Sequence, residues 1–236
     1  MTIYLSPSSI SSFFELKCPA AWKYSREWQF LEEEAIRFKQ GTDAHALMEG
    51  KIEPESIEDA TVLKYYDKLS EARRRLEIET IATELWQEFE IVKGVVFRRK
   101  IDLLARVKGH RMVVDWKTSG GGWKAFEGIT PQVLGFQSIG YLIPPPDVED
   151  WPKQLMYVVA TAWGPVKTFT YTYNKEDHKN LLDAIQIIKQ AHTAKRFPKV
   201  KGYTCGGCDY RFVCYETDGW ESRYKAKDSR PYTPKA

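Results

Sequence analysis

Cysteine and histidine are scarce, at four of each among 236 residues. Four cysteines are too few to build a disulfide scaffold in a chain of this length, so their placement carries more information than their number. Long apolar runs are missing too. No stretch of ~18 uncharged hydrophobic residues occurs, which excludes a helical membrane span. The first residues, Met1-Thr2-Ile3-Tyr4-Leu5-Ser6-Pro7, have neither the basic region nor the long apolar region of a signal peptide. An intracellular, cytoplasmic protein, bacterial or phage-encoded, is the expectation. The 43% hydrophobic and 28% charged residues fall in the globular range and argue against disorder or a fibrous chain. At ~150 residues per domain the length allows one or two domains.

A net charge of +3 is too small to establish a nucleic-acid partner by itself, but it hides a segregation. Residues 49–90 carry 12 acidic and 6 basic residues, 93–124 carry 9 basic against Asp102 and Asp115 alone, and 195–236 carry ten basic and five acidic. Basic stretches with Trp and Tyr interleaved suit a groove that follows a phosphate backbone and stacks bases, although a solvated face would look the same. In this setting Arg98, Arg99, Lys100 and Lys124 are the candidate DNA contacts.

Hydrophobic periodicity predicts helices over about 7–16, 33–48 and 57–78. Three β-branched runs follow, at 82–92, 95–107 and 111–116, separated by Lys93-Gly94 and Lys108-Gly109-His110. Beyond a Gly-rich loop at 119–122, Pro131 opens a helix to about Leu142, two strands span 154–163 and 166–173, and Asn174 caps a helix running to about Lys195. The order predicts a mixed α/β domain. Its helical N-terminal part covers about 6–80 and its core about 82–195, followed by a cysteine-bearing segment at 203–216 and a loose polar tail at 217–236.

Two carboxylates interrupt neighbouring strands: Asp102 in Lys100-Ile101-Asp102-Leu103 and Asp115 in Val113-Val114-Asp115-Trp116-Lys117. A charge in an apolar strand is costly unless paired or metal-bound. Strand alternation puts Asp115 and Lys117 on one face and Trp116 on the other. If the two aspartates lie close together, their repulsion calls for a divalent cation, and oxygen ligands suit Mg²⁺ or Mn²⁺. A lone D-x-K could equally be a salt-bridge cluster at a strand end.

The cysteines form C-x2-C-x5-C at Cys205, Cys208 and Cys214, with Cys18 187 residues upstream of Cys205. Four thiolates close a zinc site or hold a [4Fe–4S] cluster, and spacing alone leaves both open.

Taken together, Asp102, Asp115-Trp116-Lys117 and the later Gln137-Ser138-Ile139-Gly140-Tyr141 resemble the motifs of the PD-(D/E)xK nuclease superfamily, and more narrowly its RecB-type exonucleases. Gly41-Thr42-Asp43-Ala44-His45 resembles that family's G-x-x-x-H. His110, His178 and His192 match no motif and read as packed or surface residues. The resemblance covers roughly residues 5–216. It implies a restriction-endonuclease-like core, a mixed central sheet flanked by helices, in one nuclease domain with a C-terminal Fe–S staple. It further implies metal ligation by His45, Asp102, Asp115 and the Trp116 carbonyl, with Lys117 acting on the attacking water and on the phosphate. Gln137 and Tyr141 would position DNA or the lysine, and Glu84, Glu88 or Glu90 would supply a further acid. One cysteine before the core and three after it are similar to the iron–sulfur staple of AddB-type and CRISPR-associated RecB-like nucleases, which would make the four cysteines [4Fe–4S] ligands. The expected activity is metal-dependent exonucleolytic hydrolysis of single-stranded or frayed DNA ends. The rival readings are a non-cleaving nucleic-acid-binding module and a zinc-stabilised endonuclease. No G-x-x-x-x-G-K-[ST] run is present, so unwinding would fall to a helicase or recombination partner.

Overall fold

The computed structural model describes residues 2–15, 18–30, 36–120 and 131–227. Its elements are β1 (Ile3–Leu5), α1 (Pro7–Glu15), α2 (Pro19–Glu27), β2 (Trp28–Phe30), α3 (Ile36–Met48), α4 (Ala60–Arg75), β3 (Ile78–Val92), β4 (Val95–Val107), β5 (His110–Ser119), α5 (Pro131–Leu142), β6 (Gln154–Thr161), β7 (Lys167–Thr172), α6 (Lys175–Thr193), α7 (Arg211–Tyr215) and β8 (Tyr224–Ala226). No described helix is long and apolar enough to cross a membrane. The chain divides into two compact units, Met1–Ser11 with Glu34–Gln186, and Ser12–Glu33 with Ile187–Ala236.

The larger unit is built on a six-stranded mixed sheet in the order β1-β4-β5-β6-β7, with β3 paired to β4. Consecutive runs β3, β4 and β5 form antiparallel hairpins, β5 and β6 run parallel, and β7 returns antiparallel to β6. β6 is apolar along its length (Leu155 to Ala160), as a strand covered on both faces must be. One face packs on α3 and α4, where Ala44, Leu47, Val62, Tyr65 and Leu69 meet Val114, Trp116 and Val158. On the other side Leu142 and Trp151 cluster with Val113, Leu155, Tyr157 and Val159. Helix α4 starts where Asp59 accepts from the amides of Thr61 and Val62, and it ends with Arg73, Arg74 and Arg75 beside its exposed carbonyls. Asn174 and Asp177 exchange side-chain bonds with each other's amides, which fixes the start of α6.

The sheet, its hairpins and α5 agree with the sequence expectation. The short pieces do not come from periodicity. β1 forms because Ile3–Leu5 pairs in parallel with Val95–Phe97, a contact between distant segments. The segment expected as a loose tail is ordered in part, since Tyr224–Ala226 pairs antiparallel with Trp28–Phe30. Within that smaller unit Trp22 is buried against Phe13 and stacks on Phe197, with centroids 5.1 and 5.9 Å away.

Candidate active site

The β4–β5 ladder runs from Val107↔His110 to Leu103↔Val114 and stops there. The next positions in register are Asp102 and Asp115. Past this point β5 continues only with β6 (Asp115↔Tyr157, Lys117↔Val159), while β4 continues with β3 and β1. The sheet therefore forks at the two aspartates. Like charges directly opposite each other destabilise a ladder, so a fork is a natural place for two carboxylates.

His45 enters the fork from α3, its Nδ1 3.6 Å from Asp102 Oδ2. Its ring also hydrogen-bonds with the backbone of Trp116. Burial, opposed by Asp115, holds the imidazole below its usual pKa, so it stays neutral near pH 7 and can ligate a metal. Asp102 is pushed up to about 8, first by burial and then by the facing Asp115. Lys117 Nζ lies 2.6 Å from Asp115 Oδ2, and that buried aspartate, with Asp102, holds the lysine charged despite its own burial.

Glu49 completes the cluster. His45, Glu49 and Asp102 each offer a ligand atom within 4.8 Å of the others. Sequence reasoning searched for the extra acid at Glu84, Glu88 and Glu90 and missed Glu49; the signal was its i+4 spacing from His45, which puts both on one helical side. Glu84 lies in the β3–β4 ladder between the pairs Thr83↔Leu103 and Leu85↔Ile101, and its carboxylate is taken up by Lys100 and by Lys51, which also sits 2.9 Å from Glu49 Oε2. Burial alone would raise its pKa; the two ammonium groups more than offset this and hold it at about 2. Glu88 pairs with Arg98 and Glu90 accepts from the Gly94 amide. A neutral imidazole and several converging carboxylates with too little local positive charge fit a hard divalent cation.

Helix α5 delivers Gln137 and Tyr141, whose Nε2 and Oη are 3.2 Å apart. Gly135, at φ 37° and ψ −113°, interrupts α5, so the segment bearing both residues takes its own direction. Gly140 allows that segment to sit close, because a Cβ there would lie 2.8 Å from Pro7 Cβ and 3.2 Å from Phe97 Cζ. Burial, reinforced by Asp115 and Asp102, keeps the Tyr141 phenol well above its ordinary pKa, so it is a hydrogen-bond donor at neutral pH. Tyr157, raised by the same causes, shares a 3.0 Å bond with Ser138 and lies 5.6 Å under the Lys117 ammonium.

The expected DNA contacts need correction. Arg99 is 2% exposed and cannot reach a ligand. Its guanidinium donates to the carbonyls of Gly140 (2.8 Å), Tyr141 (3.0 Å) and Ile143 (2.6 Å) and to Gln87 Oε1 (2.7 Å). It thus caps the C-terminal end of α5, where orphan carbonyls favour a cation. Arg98 pairs with Glu88 at 2.7 Å and lies over the Tyr4 ring at 3.7 Å, so it too serves the fold. Lys100 stays half-exposed beside Glu84. Lys124 lies outside the described residues.

In the smaller unit Cys18, Cys205, Cys208 and Cys214 are free thiols lining one cavity together with Lys199 and Arg211. Among the described residues, no three cysteine sulfurs come within 4.8 Å of one another. A tetrahedral zinc site needs them at ~3.8 Å, from Zn–S bonds of ~2.3 Å. The Gly202 amide donates to Cys205 Sγ at 3.4 Å, and Lys199 Nζ donates to the Cys214 carbonyl at 2.6 Å.

A family model described as PD-(D/E)XK nuclease superfamily matches residues 53–215, and the chain belongs to that superfamily. Among solved structures, the "Putative exonuclease" of Eubacterium rectale superposes with a TM-score of 0.58 at 13% identity, covering 92% of this chain and 93% of that one. SSO0001 gives a TM-score of 0.46 at 12% identity, covering 91% and 87%. A search of curated proteins finds no matching relative.

Proposed function

We propose that the chain is a divalent-metal-dependent DNA exonuclease acting at single-stranded or frayed ends, with Mg²⁺ or Mn²⁺ at the fork and a [4Fe–4S] cluster on the four cysteines. The observation that carries the catalytic reading is the fork itself, which brings His45, Glu49, Asp102, Asp115 and Lys117 together at the break in one ladder. Held by His45, Glu49, Asp102 and Asp115, a divalent cation would supply Lewis-acid polarisation of the scissile phosphate and neutralise its charge.

The chain's own groups do the rest. Lys117, kept charged by Asp115, donates to the phosphate oxygen on which charge develops and orients the attacking water. The preformed Lys117–Asp115 pair needs little reorganisation as that charge appears. Tyr141, protonated and tethered by Gln137, offers a second donor. Duplex opening is left to a separate helicase.

The E. rectale protein's printed name is consistent with an exonuclease, and the superfamily membership supports DNA as substrate. End-labelled single strands, duplexes and closed circles, incubated with Mn²⁺ or Mg²⁺, test this reading. Metal-dependent loss of linear single strands with circles left intact is expected. Nicking of circles, or no cleavage with either metal, would overturn it. For the cluster, four free thiols lining one cavity support a cysteine-ligated group; protein purified without oxygen should be brown and carry about four irons and four sulfides. A colourless protein holding one zinc would refute that part.

A further inference from the structure

Trp163 is 82% exposed, the most exposed of the described large hydrophobic residues. A single exposed apolar side chain is ordinary on a protein surface. This one differs in what lies beneath and beside it. Lys68 Nζ donates to the carbonyls of Thr161 (2.6 Å) and Gly164 (2.8 Å), the Gly164 amide donates to Thr161 Oγ1 (3.0 Å), and the Ala162 amide donates to Ser119 O (3.2 Å). The loop is fixed from both sides while its indole is presented to solvent.

A cation sits over that ring, with Lys64 Nζ 4.7 Å from the centroid. A cleft of about 260 Å³ between α4 and the segment that follows the loop is lined by Lys68, Glu71, Ala72, Arg75, Pro165 and Val166. Lys64, Lys68 and Arg75 stand at i, i+4 and i+11 along one stripe of α4. Among the described residues none of the three has a carboxylate within ion-pair distance, and Glu71 is the one acidic residue lining the cleft. Lys64 and Arg75 are exposed, while Lys68 is spent on the loop carbonyls beneath the indole.

The place also matters. Val159 pairs with Lys117 across the parallel β5–β6 ladder, and Trp163 follows four residues later. Trp163 stands two residues past the end of β6, in the bend beyond the carboxyl ends of two parallel strands, where open α/β sheets bind ligands.

We propose that the Trp163 indole with Lys64 and Arg75 forms a binding track for single-stranded DNA, with one base stacked on the indole, the phosphates running along α4, and Lys68 holding the loop beneath. A rigid exposed aromatic flanked by exposed cations is the arrangement that takes unpaired bases, since every base offers a π face and a duplex hides it. The inference rests on the nuclease reading and adds to it where the strand lies and why it is single.

The test measures binding of a fluorescein-labelled oligo(dT) and of a blunt duplex of equal length by fluorescence polarisation in EDTA, so that nothing is cleaved. Trp163→Ala should weaken oligo(dT) binding at least about fivefold, the low end for losing one stacked base, while Trp163→Phe stays within about twofold of wild type. Lys64→Gln with Arg75→Gln should flatten the salt dependence of binding. Blunt-duplex affinity should change less than twofold in every variant. A photoreactive 5-iodouracil strand should crosslink at Trp163, located by mass spectrometry. In the cleavage assay Trp163→Ala should raise KM for single strands and leave kcat in place. Wild-type oligo(dT) affinity in Trp163→Ala, or a crosslink found only elsewhere, overturns the track. These outcomes separate from failure of the nuclease reading: binding that depends on Trp163 in a protein that cuts nothing would refute the enzyme and keep the track, and cleavage insensitive to Trp163 would do the reverse.

Discussion

Lys117 and Asp102 occupy one small volume and answer to different controls. Lys117 is a buried cation paired with the buried Asp115, so its removal should cost both chemistry and, without metal, folding. Lys117→Ala should lower kcat about 10²- to 10⁴-fold, the usual yield of a positioned proton or charge donor, and lower the metal-free Tm by leaving Asp115 unpaired. A variant that cleaves at the wild-type rate would show the lysine to be structural.

Asp102 makes a prediction about pH. Its folded pKa of about 8 exceeds its ordinary 3.8, so the folded state keeps a proton that the unfolded state releases. The stability this group contributes is present below about pH 4 and is lost as the pH rises toward 8. Without divalent cation the wild type should therefore lose stability relative to Asp102→Asn between pH 5 and pH 8. Mn²⁺, which favours the ionised carboxyl, should raise the wild-type Tm more at pH 8 than at pH 5. Thermal melts at the two pH values, with and without Mn²⁺, check both statements; parallel pH slopes for the two proteins would refute the raised pKa.

Among the elements, α5 shows how a side chain mistaken for a ligand contact shapes the site. The sequence presents Arg98-Arg99-Lys100 as a basic cluster, and nothing local distinguishes a solvent-facing arginine from a buried one. Only the fold brings the carbonyls of Gly140, Tyr141 and Ile143 to Arg99. Arg99→Met would take away the donor to the buried Gly140 and Ile143 carbonyls and to Gln87, while the Tyr141 carbonyl would keep Trp151 Nε1, a loss of about 3–5 kcal/mol by analogy with breaking a buried charged pair. Chemical denaturation should register that loss, and Arg99→Lys, which keeps charge but not the fork of donors, should fall between the two. A change below 1 kcal/mol would mean that α5 is held by its apolar contacts. The kink at Gly135 and the close approach at Gly140 were equally invisible, since each depends on what the helix meets.

At the level of the whole molecule, the four cysteines come together in one unit although Cys18 and Cys205 are 187 residues apart. A covalent or metal link across a loop of that length contributes about 5 kcal/mol in the chain-entropy model. Cys18→Ala should accordingly lose the visible absorbance of the cluster and lower the stability of the unit bearing the cysteines, followed by absorbance and by limited proteolysis. An unchanged absorbance would remove Cys18 from the ligand set.

The succession of the five longer strands along the chain, the two aspartates and D-x-K on neighbouring strands, His45 in its motif and the C-x2-C-x5-C run were legible in the sequence. All of them are local patterns, because strand alternation and helical spacing are set by the backbone period. Tertiary structure alone decided that the β4–β5 ladder breaks at Asp102 and Asp115, that Glu49 joins them while Glu84 is neutralised by two lysines, and that Arg99 is buried while Trp163 is displayed. Each of these depends on which distant groups arrive at the same place, and burial and partner charge, unlike periodicity, are not properties of a segment by itself.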